Sequence, residues 1–339
     1  MFKVYQNADD LPEVWDEIAR QNIFLKKHIL KTLEGLNPCS QLYHLSLEKK
    51  IILVSYKLKI DLFTFTKYLS FNIPVNIIGV PMSVAKSGYS MGDQNNVDAF
   101  SEYIKSLKGF YLILNSNDQL KLAQGNTLPS CKMEVRWDSF DKYLLNIRSH
   151  YRYRLNKAIK KFADIKVEEL ADNNTFDEEM YNLYLNVYHR SGEKLEKLSI
   201  GFFKNFPLTI LKFTIKGEVV AFVQLVENSG ELVFLLGGFK HSLNQKYDLY
   251  INMLLQIISY GIKRGVKQID FGQTTEETKL KLGALQQPKL LYVHHSNQII
   301  NTLLRKLVGK FSYRQYQVSH RVFKEFEGEG NESPASKMP

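Results

Sequence analysis

Along the C-terminal half, apolar positions fall in blocks whose edges are marked by turn-forming residues. The run "LTILKFTIKGEVVAFVQLVENSGELVFLLGGF" (208–239) predicts a three-strand meander, with turns at Lys216-Gly217-Glu218 and Asn228-Ser229-Gly230. Next, "YDLYINMLLQIISYGIKR" predicts a long helix and "VKQIDFG" a strand entered through Gly265. The N-terminal half follows the same plan. "QLYHLSLEKKIILVSYKLKI" reads as a hairpin turning at Glu48-Lys49-Lys50. An apolar strand (75–80), the helix "VDAFSEYIKSL" and the strand "GFYLILN", entered through Gly109, follow it. Both halves therefore read hairpin, apolar strand, helix, strand, as two copies of one α/β unit. A seam is expected near 125–130, where "QGNTLPS" gathers turn formers. This gives a first domain over 1–128 and a second over 129–323. The tail 324–339, rich in Gly, Ser, Glu and Pro, has almost nothing to bury and is expected to be disordered.

Two segments carry concentrated chemistry. After the strand Ile269-Asp270-Phe271, Thr274 stands three residues before Glu277, the spacing of a capping box, so a short helix is predicted to end at Gly283. This is either junction punctuation or the wall of a site, with the cap fixing the direction of Lys279. Upstream, "SHYRYRLNKAIKKF" (149–162) predicts an amphipathic helix. Its apolar stripe is Tyr151, Leu155, Ala158 and Phe162, and Arg148, Arg152, Arg154, Lys157 and Lys161 are its cations. That basic side is either a solvated face or the lining of a phosphate groove.

A length of 339 residues favours two domains, and 44% hydrophobic residues suffice for globular folding. The net charge of +10 suits a polyanionic partner: nucleic acid, an anionic membrane surface or a phosphate-rich cofactor. Cys39 and Cys131 are the only cysteines, without zinc-like neighbours, so neither a disulfide framework nor a metal site is expected. No apolar run approaches a membrane span, and the N-terminus carries acids where a signal peptide carries lysines. A cytoplasmic protein is the expectation. Asp270-Phe271-Gly272 stands without a kinase glycine-rich loop or His-Arg-Asp loop, and the chain has no P-loop, GxGxxG after a strand, or GxSxG elbow.

The order of the parts is more specific than any one of them. A basic helix, a three-strand meander, a long helix, a strand ending "IDFG" and then "TTEETKLKLGALQQP" resembles the GNAT superfamily of N-acyltransferases. Within it the pattern is similar to the tandem-domain branch that includes the FemABX peptidoglycan-bridge transferases and the CelD-like proteins. Lys279 and Gly283-Ala284 after the Asp-Phe-Gly turn carry that likeness, which spans about residues 130–323 by motif. The fold it implies is α/β (α+β): tandem GNAT-like domains, each a mixed, mostly antiparallel sheet flanked by helices.

The resemblance also implies a chemistry, in which an amine attacks a thioester or ester carbonyl and no metal takes part. It implies acyl-CoA as donor, bound by Gly237, Gly238, Lys240, Ser242, Asn244 and Lys246 at the start of the helix near Tyr247. Backbone N–H groups from Phe234 to Gly238 would meet the oxyanion. Tyr247, Asp248 and Asp270 are the acid–base candidates, and Arg148, Arg152, Arg154 and Lys279 the substrate-binding ones. Each has a structural alternative: packing for Tyr247, a first-turn helix acid for Asp248, pairing with Lys279 or a neighbour for Asp270, and a solvated face for Lys279. The superfamily's Arg or Gln followed by two glycines is absent; "GGFKHSLNQKYDLY" stands in its place, with its glycines too early. Three readings follow. The first is acyl-CoA-dependent acylation of an amino sugar, a lipid-linked envelope precursor or a peptide amine. The second is aminoacyl transfer from charged tRNA, and the third a noncatalytic anion-binding module. The basic, amphipathic "NTLLRKLVGKFSYRQYQVSHRVFKEF" is expected either to pack as a final helix or to touch the inner face of an anionic membrane.

Overall fold

The computed structural model of the chain describes residues 1–324 apart from 21, 62–71, 83, 93–95, 192–195, 311 and 314–319, and of Ile60, Asp61, Asn72 and Ile73 only the backbone. The expectation of a disordered tail falls almost wholly outside the described residues.

The first half contains β1 (Lys3–Tyr5), α1 (Val14–Ala19), α2 (Lys27–Leu36), β2 (Leu42–Ser46), β3 (Ile51–Asp61), β4 (Asn72–Ile78), β5 (Tyr89–Met91), α3 (Val97–Ser106) and β6 (Phe110–Ser116). Strand β7 (Ala123–Glu134) follows, then α4 (Phe140–Asn146), α5 (Ser149–Lys161), β8 (Lys166–Glu169), α6 (Glu178–Arg190) and α7 (Ile200–Asn205). The meander is β9 (Thr209–Ile215), β10 (Glu218–Asn228) and β11 (Glu231–Phe239). The chain continues through α8 (His241–Tyr247), α9 (Leu249–Arg264), β12 (Gln268–Asp270), α10 (Glu276–Leu280), β13 (Leu285–His295) and α11 (Gln298–Leu307).

Both predicted units are present. In the meander, Lys216-Gly217 and Ser229-Gly230 all have positive φ, the consecutive left-handed pair that matches a tight hairpin to the twist of its strands. In each half three antiparallel strands lead through a helix to a parallel partner: β4 with β6 across α3, and β11 with β12 across α9. The halves join in one mixed sheet of order β1-β2-β3-β4-β6-β13-β7-β12-β11-β10-β9-β8, with β5 beside β3. The strand after β6, β7, pairs with β12 of the other half, and the strand after β12, β13, pairs with β6. Each half thus lends its last strand to its partner.

This exchange corrects one local expectation. Residues 125–130, read as a seam rich in turn formers, lie inside the 12-residue strand β7. Extended pairing with β13 overrides local turn propensity, and a register shift opposite Gln287 and Lys289 absorbs the irregularity beside Pro129. The cores are shared as well. Trp15, Phe24 and Leu30 of the first half pack in one cluster with Phe176, Phe202, Phe203 and Phe222 of the second. A second cluster lies under α9, around Met253, Leu254, Ile257 and Ile258. Because a sheet and a core cross between the halves, thermal unfolding is expected as one transition, with calorimetric and van't Hoff enthalpies equal. Two separated calorimetric peaks would show the halves to be independent.

Candidate active site

The sheet opens at one point. β12 pairs with β11 only over Glu231–Val233 and stops at Asp270, while β11 runs on to Phe239 beside β10. Leu235 is an extra residue in that pairing, since Gln224 faces Leu236 and Leu225 faces Phe234; this bulge re-aims the strand as it leaves β12. The gap is a cavity of about 900 Å³. β11, the loop Asp270–Thr275, Lys279, Tyr250 of α9 and Tyr184, Tyr188 and Arg190 of α6 line it. Val84, Ala85, Leu114 and Asn115 close it from the first half. Its size suits a small-molecule or cofactor site.

At the head of the gap lies a buried ion network. The Asp270 side chain is 1% exposed and meets Lys86 Nζ at 2.9 Å. Lys86 also pairs with Glu231, and Glu231 with Lys132 at 2.6 Å. Ser130 donates to Asp270 Oδ1 at 2.5 Å, and the Gly272 N–H to the same oxygen at 2.9 Å. Burial alone would raise the Asp270 pKa; the charge of Lys86 and the hydrogen bonds from Ser130 and Lys86 overcome it and hold the carboxyl below its ordinary value. Asp270 is therefore held as a carboxylate by partners from both halves, pairing with Lys86 and not with Lys279.

The loop after Asp270 wraps around one amine. Gly272, Thr274 and Thr275 all have positive φ, at 69°, 61° and 49°. For a β-branched threonine that conformation is strained, and it persists where surrounding contacts impose it. Gln273 supplies one such contact, donating to Asn115 Oδ1 at 2.8 Å and to the Leu128 carbonyl. Inside the loop, Lys279 Nζ donates to the carbonyls of Gly272 at 3.2 Å and Gln273 at 2.6 Å. The capping box does not form: α10 begins at Glu276 behind Thr275, whose side chain caps nothing, and Glu277 pairs with Lys281 and His320. The loop's left-handed path, not a cap, directs Lys279 into the gap. Lys279 is 1% exposed, and burial pulls its pKa down to about 8 against the raising charges of Cys131, Asp270 and Glu276.

Of the other sequence candidates, Gly237 and Asn244 line the cavity. Asn244 nevertheless spends its Oδ1 on the Tyr250 N–H at 2.9 Å, filling part of the helix N-terminus expected to hold phosphates. Gly238 faces away, where an added Cβ would lie 2.5 Å from the Leu183 carbonyl carbon, so its role is close packing on α6. Lys240 is drawn to Glu179 and Glu218, both at 3.3 Å. Ser242 and Lys246 are exposed on α8, with Lys246 over the Tyr247 ring. Tyr247 packs against the second core, and Asp248, at the left-handed link between α8 and α9, pairs with Lys161 at 3.0 Å. None of these last five residues lines the gap. Arg148 donates to the Phe323 carbonyl and Arg152 to the carbonyls of Leu145 and Ile147, so both close backbone ends; Arg154 is exposed on α5. The basic helix thus lies outside the cavity wall.

Sequence reasoning missed Tyr250, His241, Arg190, Lys86 and Ser130. Burial pushes the Tyr250 hydroxyl up to about 12, so it keeps its proton at neutral pH. Burial and the charge of Arg190 lower the pKa of His241, whose Nε2 is buried without a hydrogen-bond partner among the described residues. Tyr250 was legible in principle, three residues after Tyr247 in the segment read as one helix; Lys86 and Arg190 come from segments with no motif. No group of three or more His, Cys, Asp or Glu residues that could hold a metal ion occurs among the described residues.

Comparison with known proteins agrees with this geometry. Residues 149–280 match the family model for the acetyltransferase (GNAT) domain. The C-terminal half thus contains a segment, residues 149–280, similar to the acetyltransferase (GNAT) domain. No curated protein matches the sequence. Among solved structures, the chain is similar to the C-terminal domain (DUF2156) of a protein from Agrobacterium fabrum described as a lysylphosphatidylglycerol synthetase. The TM-score is 0.52 at 8% identity, over 86% of this chain and 97% of that one. L-PGS from Bacillus licheniformis gives 0.49 at 14% identity, over 90% and 98%. FemX gives 0.49 at 10%, over 79% and 90%.

Replacing Lys86 by Met leaves two buried carboxylates short of a cation, and a stability loss of about 3–5 kcal/mol is expected in chemical denaturation at neutral pH. The folded-state pKa of Asp270 is depressed, so its contribution is present above the ordinary value of 3.8 and is lost as pH falls through the folded value. The Lys86→Met variant should accordingly lose less stability on acidification than the wild type. A denaturation midpoint unchanged at pH 7 would show that the network holds nothing together.

Proposed function

We propose that the protein transfers an acyl group from an activated ester or thioester to a primary amine in the gap between β11 and β12. The observation that carries this reading is Lys279, a buried ammonium aimed into a cavity between the two halves by a strained loop. A cation in a water-poor pocket stabilises the oxyanion that forms when an amine attacks a carbonyl, and one such donor is worth about a hundredfold or more in rate. Tyr250, protonated at neutral pH, can give its proton to the leaving thiolate or alkoxide. His241, held neutral at the cavity wall, is available to accept the proton that the amine sheds.

The first choice of donor is acyl-CoA, the donor that a GNAT domain generally uses. The acceptor class is an amine of an amino sugar, a lipid-linked envelope precursor or a peptide. A second reading, an aminoacyl ester carried by tRNA, is favoured by three particular contacts: Asn244 on the Tyr250 N–H, Lys240 with its two glutamates, and Lys161 with Asp248. Together they occupy the groups that would grip a pyrophosphate. The C-terminal domain of the Agrobacterium fabrum protein, described as a lysylphosphatidylglycerol synthetase, is similar in fold over most of both chains.

Binding of CoA and of tRNA across a salt series separates these readings. CoA, with few phosphates, should bind with a shallow salt dependence, whereas a tRNA user should lose affinity steeply as salt rises. Binding of neither would remove the transferase reading.

Lys279→Met should lower kcat about a hundredfold while raising stability. The folded pKa, about 8, lies below the unfolded value of 10.5. Burying the charge therefore costs stability below pH 8, and the cost fades as pH rises to 10.5. The variant's advantage should be largest at neutral pH, of order 1–3 kcal/mol, and vanish above the unfolded value. The ratio of wild-type to variant rates, in which the acceptor's own titration cancels, should fall as pH passes about 8. A ratio that climbs there would make Lys279 a base instead of an oxyanion donor.

A further inference from the structure

Helix α11 leaves a bare apolar face beside a block of positive charge. Leu304, Leu307 and Val308 turn inward onto β13 and β7, while Ile299, Ile300 and Leu303 are 82%, 42% and 56% exposed. Ile299, Leu303 and Lys306 recur at i, i+4 and i+7, so the outward side is apolar in its first turn and cationic in its second. The face is built, not frayed: the Asn297 side chain accepts from the N–H groups of Ile299 and Ile300 and fixes the turn that displays them.

Charge selects the occupant. Between Glu277 and Glu325 the sequence contains no Asp or Glu. Arg305, Lys306 and Lys310 are exposed on and just after the helix, and Lys108 lies on the loop whose Gly109 meets Ser296 at the helix entrance. A second copy of this chain docking through α11 would bring like charges into one interface. A surface that is negative outside and apolar just beneath takes both the cations and the two isoleucines and leucine.

We propose that α11 is an interfacial helix that seats the protein on an anionic phospholipid surface, with Ile299, Ile300 and Leu303 inserted between headgroups and Arg305, Lys306 and Lys310 on their phosphates. This goes beyond the transferase reading and does not depend on it, because membrane contact needs no turnover.

Flotation of the full-length protein with vesicles tests it. Binding is expected to phosphatidylcholine vesicles containing phosphatidylglycerol, and to weaken as salt rises; pure phosphatidylcholine should retain little. The double variant Ile299→Ser, Leu303→Ser changes only exposed side chains and should bind the mixed vesicles at least about tenfold more weakly. The pair Lys306→Gln, Lys310→Gln should lose the salt-sensitive part. An Ile299→Trp protein should show a blue-shifted emission on adding mixed vesicles, a readout independent of the serine variants. Equal vesicle binding by the double serine variant, or no emission shift, overturns the proposal. So does a concentration-dependent dimer that the serine variant disperses while vesicle binding is unchanged. Because CoA and tRNA binding are measured separately, failure here leaves the transferase reading standing, and the reverse holds too.

Discussion

A carboxylate cannot be buried at 1% exposure unless a cation is buried with it, and for Asp270 that cation comes from the other half of the chain. Lys86 leaves the loop between β4 and β5 and reaches across to the strand end from which the Gly272–Thr275 loop departs. Ser130 and Lys132, on the exchanged strand β7, complete the set. Because β7 and β13 have traded places, the network sits where both halves already share backbone hydrogen bonds. The gap beyond Asp270 is consequently not a feature of one GNAT-type domain alone; its wall on one side is made by the first half. The first half thus helps to determine where the loop beyond Asp270 begins.

Most of the architecture was legible because local rules agreed with it. The two positive-φ pairs in the meander, the 16-residue helix α9 ended by Gly265 and the strand closed by Asp270-Phe271-Gly272 follow from turn chemistry and periodicity. Where tertiary pairing decided, the sequence misled. Gln124–Ser130 looks like a turn because Gly, Asn, Pro and Ser favour one locally. As a strand it pairs along β13, and those bonds outweigh the preference. Strand exchange itself leaves no trace in periodicity, since a strand has the same pattern whichever neighbour it takes.

The site was legible in part, for a related reason. Lys279 and Asp270 stood out because an acid and a lysine bracket a glycine turn. Their charge states depend on partners far away in sequence: Lys86 lies 184 residues from Asp270 and keeps it ionised, while the charges of Asp270 and Glu276 only partly offset the burial of Lys279. The cations named from the basic helix failed differently. Arg148 and Arg152 carry charge, but a guanidinium beside an open helix end is better used on carbonyls, and their bonds to Phe323, Leu145 and Ile147 show that use. A run of positive charge in a sequence gives the number of cations and not the direction in which they point.

The position of β13 constrains how the site and the proposed membrane helix can serve one substrate. β13 starts two residues after Gly283, beside α10 and Lys279, and its far end, His295, leads through Ser296 and Asn297 into α11. Eleven residues of extended chain span roughly 35 Å. With that strand upright on a bilayer, the amine to be acylated must stand well clear of its anchor, as the end of a long headgroup does and the amine of an ordinary phospholipid does not. With the strand lying flat, a shorter headgroup could reach the gap. The two arrangements therefore admit different acceptors, and the length of β13 between the gap and α11 is what separates them.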